Sequence, residues 1–207
     1  MLRLFLSTGP NPHPKWGRFT PKNRLNVDQV PLPFSCQPAE TYEDKGTNRI
    51  WIKQNQAGLE KRFCTLQLAF RPGHNQPKPT CIFRGLGKRI GELEKASWDS
   101  RVHVMFQKKT WADRAFSNEW LDQVLLPDIQ KNTAPGEESI LFCDNLDAQI
   151  QPEFKERLRS VGCFRYLLPL QCTDYVQPVD AGLGRQVKSE IGKAFEEWLE
   201  GADNLTL

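Results

Sequence analysis

Short apolar blocks, each closed by an acid, a proline or a glycine, organise this chain. Ser139-Ile140-Leu141-Phe142-Cys143 runs apolar without alternation and stops at Asp144-Asn145. That is the pattern of a central strand buried on both faces, delivering one carboxylate at its carboxyl end. From Pro152 to Val161, Phe154, Leu158 and Val161 recur at i, i+4 and i+7 among polar residues, which predicts a helix with one apolar face. Cys163 to Leu168 reads as the next strand, stopped by Pro169. In Gln177-Pro178-Val179-Asp180 the proline suits the first turn of a helix. Val187, Ile191, Phe195 and Leu199 carry that helix onward, with Asp180 in its first turn. Strand, helix, strand and helix in this order bring Asp144 and Asp180, separated by 35 residues, toward one edge of one sheet.

The first half of the chain alternates instead. Asn23 to Gln29 holds a short strand-like segment expected to end in Asp28, with Val30-Pro31 stopping it. Arg49–Lys53 and Arg62–Phe70 read as the arms of a long antiparallel hairpin that turns at Asn55–Gly58. In the second arm Phe63, Thr65, Gln67 and Ala69 alternate with Cys64, Leu66, Leu68 and Phe70. Thr80–Phe83 and Arg101–Gln107 predict two further strands. Trp111 to Ile129 predicts a helix with Trp111, Ala115, Trp120 or Glu119, Val124 and Ile129 tracking one face, and with Pro127 close to its end, where a proline can terminate it early. Residues 1–22 hold Pro10, Pro12, Pro14 and Pro21 around Trp16-Gly17-Arg18-Phe19, an extended arm. A single domain over 23–200 and a short tail over 201–207 complete the expected organisation.

Composition narrows the picture little. The 207 residues, 39% hydrophobic and 26% charged, suit one folded domain. A net charge of +3 does not by itself call for nucleic acid, although a local basic surface is compatible with it. The six cysteines are dispersed without CxxC spacing, which predicts buried free thiols in a reducing compartment. No apolar run approaches the roughly 20 residues that span a bilayer, and Leu2–Leu6 is too short for the core of a signal peptide. An intracellular protein without a membrane span is expected.

Asp28 on a strand, Asp144 after a strand and Asp180 at a helix start are hard oxygen ligands in chain order. Converging carboxylates repel unless a cation joins them, and a divalent metal is the usual remedy. Asn26-Val27-Asp28-Gln29-Val30-Pro31, Leu141-Phe142-Cys143-Asp144-Asn145 and Gln177-Pro178-Val179-Asp180 resemble the three catalytic blocks of pogo-like DDE transposases. The order and the spacing of the last two acids match, over roughly residues 15 to 199.

The resemblance implies an α/β fold with an RNase H-like mixed sheet flanked by helices. It implies a DNA endonuclease and strand-transfer domain using two Mg²⁺ or Mn²⁺ ions held by Asp28, Asp144 and Asp180, in the nucleus. Asp28 would bridge both ions, Asp144 bind one and Asp180 complete the second. The arm over 1–22 has no room for the helix-turn-helix domain usual in such proteins, so DNA reading would fall to a homodimer or a separate DNA-binding protein. Relatives often carry a His a few residues after the second acid, where Asp147-Ala148-Gln149 stands. Gln149 hydrogen-bonds but cannot carry a proton as imidazole does. A catalytically inactive remnant that binds DNA or protein is therefore the alternative, and an RNase H-type nuclease cutting RNA–DNA hybrids a third.

Further candidates each have a plainer reading beside them. Asn145 orients Asp144, contacts a phosphate, or simply turns the chain. Gln177 and Lys188 are candidates around the third acid, although Lys188 and Lys193 also suit a solvated helix face. Arg84, Lys88 and Arg89 flank Gly85-Leu86-Gly87 and Gly91. The glycine spacing fits neither the Walker nor the dinucleotide pattern, so a basic turn at the sheet edge, or a phosphate contact, is what remains. Asp174 competes with Asp180 for third place. His74 and His103 lack partners at metal-ligand spacing. Trp51, Trp98, Trp111, Trp120 and Trp198 are expected to pack rather than to stack on bases.

Overall fold

The computed structural model describes residues 17–33, 63–73, 75–108, 113–169, 177 and 179–201. Six strands form one sheet: β1 (Arg24–Pro33), β2 (Phe63–Phe70), β3 (Thr80–Arg84), β4 (His103–Gln107), β5 (Ser139–Cys143) and β6 (Cys163–Leu167). Their order is β4-β3-β2-β1-β5-β6. β2 is antiparallel to both neighbours and the other pairings are parallel. The flanking helices are α1 (Glu92–Ala96), α2 (Arg114–Trp120), α3 (Leu126–Asn132), α4 (Asp147–Ile150), α5 (Pro152–Ser160) and α6 (Gly184–Glu200). This is the expected α/β architecture, with the RNase H-like mixed sheet.

The last third of the described chain follows its hydrophobic pattern closely. All five residues of β5 are buried, because helices or loops cover both of its faces. Pro152 opens α5, Phe154 and Leu158 are buried, and Arg157 and Arg159 sit in the last turn, where the helix dipole favours cations. Gly162 then takes a left-handed φ of 71°, the conformation that ends a helix most cheaply in glycine. Its carbonyl accepts from Ser139 N at 3.0 Å, which seats β6 beside β5.

Two expectations are corrected. β1 does not stop at Pro31 but runs to Pro33. Its pairing with β5 ends at Asn26, while its pairing with β2 continues through Pro33. Pro31 and Pro33 are exposed alternate residues, so their missing N–H groups fall on the edge that β5 no longer covers and no ladder bond is lost. The long helix neither ends at Pro127 nor buries Ala115, which is exposed; Phe116, Trp120, Val124 and Ile129 are buried. Asp113 caps α2 by accepting from Phe116 N at 2.9 Å. Between α2 and α3, Leu121–Leu125 make one wide turn in which Leu126 N donates to Leu121 O, five residues back. The extra residue rotates the apolar stripe and accommodates Pro127 near the start of α3.

The sheet has two unlike faces. On one, Leu25, Val27, Leu141 and Cys143 join α2, α3 and α5 in a single apolar cluster. Fully buried Arg71 pairs with Asp128 at its margin. On the other face there are two separate clusters. One gathers Phe19, Ile140, Phe142 and Leu168; the other gathers Val30, Leu66, Leu68 and Val179, with Val187 and Ile191 of α6 against them. The seam between them carries Asn26 and Asp28, which share this face with Val30 along β1.

Cys64, Cys143 and Cys163 are buried free thiols, and half-buried Cys81 is free as well. Trp120 is buried and Trp98 lies 6.1 Å from Phe106, ring to ring. Trp198 is half exposed and stacks on Phe195. No helix among the described residues is long and apolar enough to cross a membrane. The segments 49–53 and 55–58, together with Cys36, Trp51, His74, Trp111, Cys172 and Asp174, lie outside the described residues.

Candidate active site

The two strand acids come from the place where β1 and β5 part. Asn26↔Phe142 is the last β1–β5 pair. Asp28 lies two residues beyond that pair within β1, and Asp144 two residues beyond it, just past the end of β5. Both are half-buried. In each, the carboxylate oxygen Oδ1 accepts from the next backbone N–H at 2.7 Å, Gln29 N for Asp28 and Asn145 N for Asp144. One step before the strands separate, Asn26 Nδ2 donates to Phe142 O at 3.1 Å and laces them together. Asn145 Nδ2 donates to Leu168 O at 2.7 Å, so its amide holds the ends of β5 and β6 together beneath the Asp144 carboxylate.

Two carboxylates where neighbouring strands part suit a hard divalent cation, which takes oxygen ligands and offsets their repulsion. Cys143 does not compete as a ligand: burial pushes its thiol up to about 12, and the metal-binding form is the thiolate. Among the described residues no three His, Cys, Asp or Glu side chains cluster as a metal site. The side chain of Asp180 is outside that set.

The backbone of the third block lies against β1. Gln177 is fully buried and its Nε2 donates to Val27 O at 3.4 Å. Val179 is buried in the same cluster as Val30. Asp180 follows in a wide turn, Val179–Leu183, which Gly182 kinks with a φ of 136° before α6 begins. Gly184 passes so close that a Cβ there would sit 3.0 Å from Val179 O and 3.4 Å from Val30 Cγ2. Glycine permits that approach.

Beside this contact an open groove of about 240 Å³ is lined by Gln29, Val30, Pro31, Val179, Gly184, Arg185 and Lys188. Arg185 was not singled out in the sequence; its spacing of three from Lys188 puts both on one helix face. Arg84, Lys88 and Arg89 are exposed at the same carboxyl edge but on the far side of β2. By register Thr80 is level with Gln29. Arg84 therefore lies five residues beyond the level of Asp28, about 16 Å along and about 10 Å across from it. That suits contact with a flanking stretch of a long polymer rather than with the acids' own ligand.

Gln149 is buried on α4 and its Oε1 has no partner among the described residues. Its backbone carbonyl accepts from Arg165 Nη1 at 2.6 Å. His103 is the first residue of β4. Burial lowers its pKa against an opposing pull from Glu119 and Gln123, and Lys78 lowers it further. It belongs to the sheet. Asn26, which laces the acid-bearing strands, was also missed; its signal was a polar side chain two residues before an acid, on the same face of the strand.

A family model described as "DDE superfamily endonuclease" matches residues 60–206. No curated protein matches the chain. Among solved structures it is similar to "Mos1 transposase paired-end complex with left transposon end", at 12% identity and a TM-score of 0.48, over 89% of this chain and 49% of that one. It is also similar to "Crystal structure of the mariner Mos1 paired end complex with Mg", at 13% identity and a TM-score of 0.48, over 88% and 49%. The chain spans about half the length of those structures.

Proposed function

Because this chain belongs to the DDE superfamily endonuclease family, we propose that it is the metal-dependent DNA-cleaving and strand-transfer domain of a pogo-like transposase, or of a protein descended from one. The observation that supports this most is the placement of Asp28 and Asp144 two residues past the last β1–β5 pair, where the two strands part. Asp28, Asp144 and Asp180 would hold two Mg²⁺ or Mn²⁺ ions. When bound, such ions activate an attacking water or 3′-hydroxyl and stabilise the leaving oxygen. The chain's own residues supply the frame for this. Asn26 and Asn145 fix the two strand acids, while Asp180 rides on a turn entering α6. Arg185 and Lys188 offer positive charge to a DNA phosphate beside the acids, and Arg84, Lys88 and Arg89 to a more distant one. Work on DNA in this form implies the nucleus, and a homodimer or a separate DNA-binding protein are the partners this reading allows.

A second reading, a non-catalytic remnant that binds DNA or protein, draws on Gln149. Its amide is neutral and only 3% exposed, so it cannot shuttle a proton as a His there would. The test is Mg²⁺- or Mn²⁺-dependent nicking of DNA by the purified chain and by Asp144→Ala. Nicking that falls about a hundredfold or more in the variant, the scale of removing one electrostatic stabiliser of the transition state, bears out the nuclease. Equal activity in both, or none in either, leaves the remnant. Preferential cutting of RNA–DNA hybrids would instead identify an RNase H-type nuclease.

A further inference from the structure

We propose that Gln177 is a positioning residue for metal binding: it fastens the turn that carries Asp180 to the strand that carries Asp28. The inference rests on the nuclease reading above. Gln177 is fully buried, and its Nε2 donates to the carbonyl of Val27, the residue before Asp28. Two residues later Val179 packs on Val30, two residues after Asp28. Gly184 then closes against Val30 on the other side of Asp180. The Gln177–Gly184 segment therefore grips β1 at two points that bracket the first acid, and Asp180 is held between those grips.

The amide is also an expensive choice for mere filling. Its Oε1 is buried without a partner among the described residues, and its one bond, at 3.4 Å, is long for N–H···O. A side chain kept only for packing would be apolar, since an orphaned buried polar atom opposes folding. The long bond and the spare acceptor leave the amide able to tighten when the acids draw together on a cation. Outer groups that orient metal ligands typically change affinity by 10–100-fold when removed.

The experiment titrates the full chain with Mn²⁺, reading unbound Mn²⁺ by electron paramagnetic resonance, with thermal unfolding measured without metal. Gln177→Met keeps the shape and removes the donor. It is expected to weaken Mn²⁺ binding about tenfold or more, while the metal-free midpoint stays within a few degrees of wild type or rises. Gln177→Asn keeps the amide one methylene short and is expected to lose affinity likewise. Wild-type Mn²⁺ affinity in Gln177→Met overturns the proposal, and so does failure of both variants to fold, which would make Gln177 a folding residue. Asp144→Ala separates the two levels of the argument. If it binds Mn²⁺ as wild type does, the acid site itself is wrong and this proposal falls with it. If it loses binding while Gln177→Met does not, only the role of Gln177 is refuted.

Discussion

The two faces of the sheet are made from the same strands yet do different work. The face under α2, α3 and α5 is one unbroken apolar cluster. The other is split into two clusters by a polar seam that includes Asn26 and Asp28. On β1 the division is residue by residue: Leu25 and Val27 go to the first face, Arg24, Asn26 and Asp28 to the second. An unbroken core holds the strands in fixed register, while the opposite face carries polar side chains between its two clusters. The contrast says that tight packing and polar side chains have been assigned to opposite sides of one backbone.

Three substitutions would break or sharpen this contrast. The largest effect on stability is expected on the unbroken face. Leu158→Ala, at a fully buried position, should cost about 2–5 kcal/mol, read as a lower urea midpoint with little change in slope. A loss under about 1 kcal/mol would mean the core collapses easily around the gap. At the seam, Asn26→Ala removes the lace to Phe142 O and should cost about 1–2 kcal/mol. Its nicking activity should fall further than that loss of stability explains; an unchanged nicking rate would show that the acids do not depend on the lace.

The smallest effect concerns His103, whose folded-state pKa is lowered by burial. The unfolded chain then binds a proton more readily than the folded one, so stability is complete above the ordinary His value of about 6.5 and declines as pH falls through the window below it. His103→Gln should flatten that decline between pH 7.5 and 5.5. A urea midpoint in the variant that falls as steeply as in wild type would assign the acid sensitivity to other groups.

Much of this was legible because the informative blocks are short and sharply ended. The run Ser139–Cys143 could only be a doubly buried strand, and the spacing of Phe154 and Leu158 admitted one helix face. Reading failed where a local rule was overridden by what lies alongside. Pro31 looks like a strand stop unless one knows that β5 has already left that edge. The apolar stripe of the long helix was started one residue early, at Ala115, although Phe116 stands at the ordinary i, i+4 step before Trp120. Gln177 could be singled out only as a candidate beside the third acid, since nothing in sequence tells a buried amide from a solvated one. The groove beside Lys188 was equally hidden, because Arg185 becomes its neighbour only when α6 docks on Val30.

The two prolines of β1 have one more consequence. An open strand edge with free N–H groups invites another segment to zip onto it, whether from a misfolding neighbour or from the chain itself. Pro31 and Pro33 withdraw two donors in succession from that border, so backbone pairing there cannot propagate. The border of β1 beyond Asp28 is thereby guarded against strand pairing by another main chain.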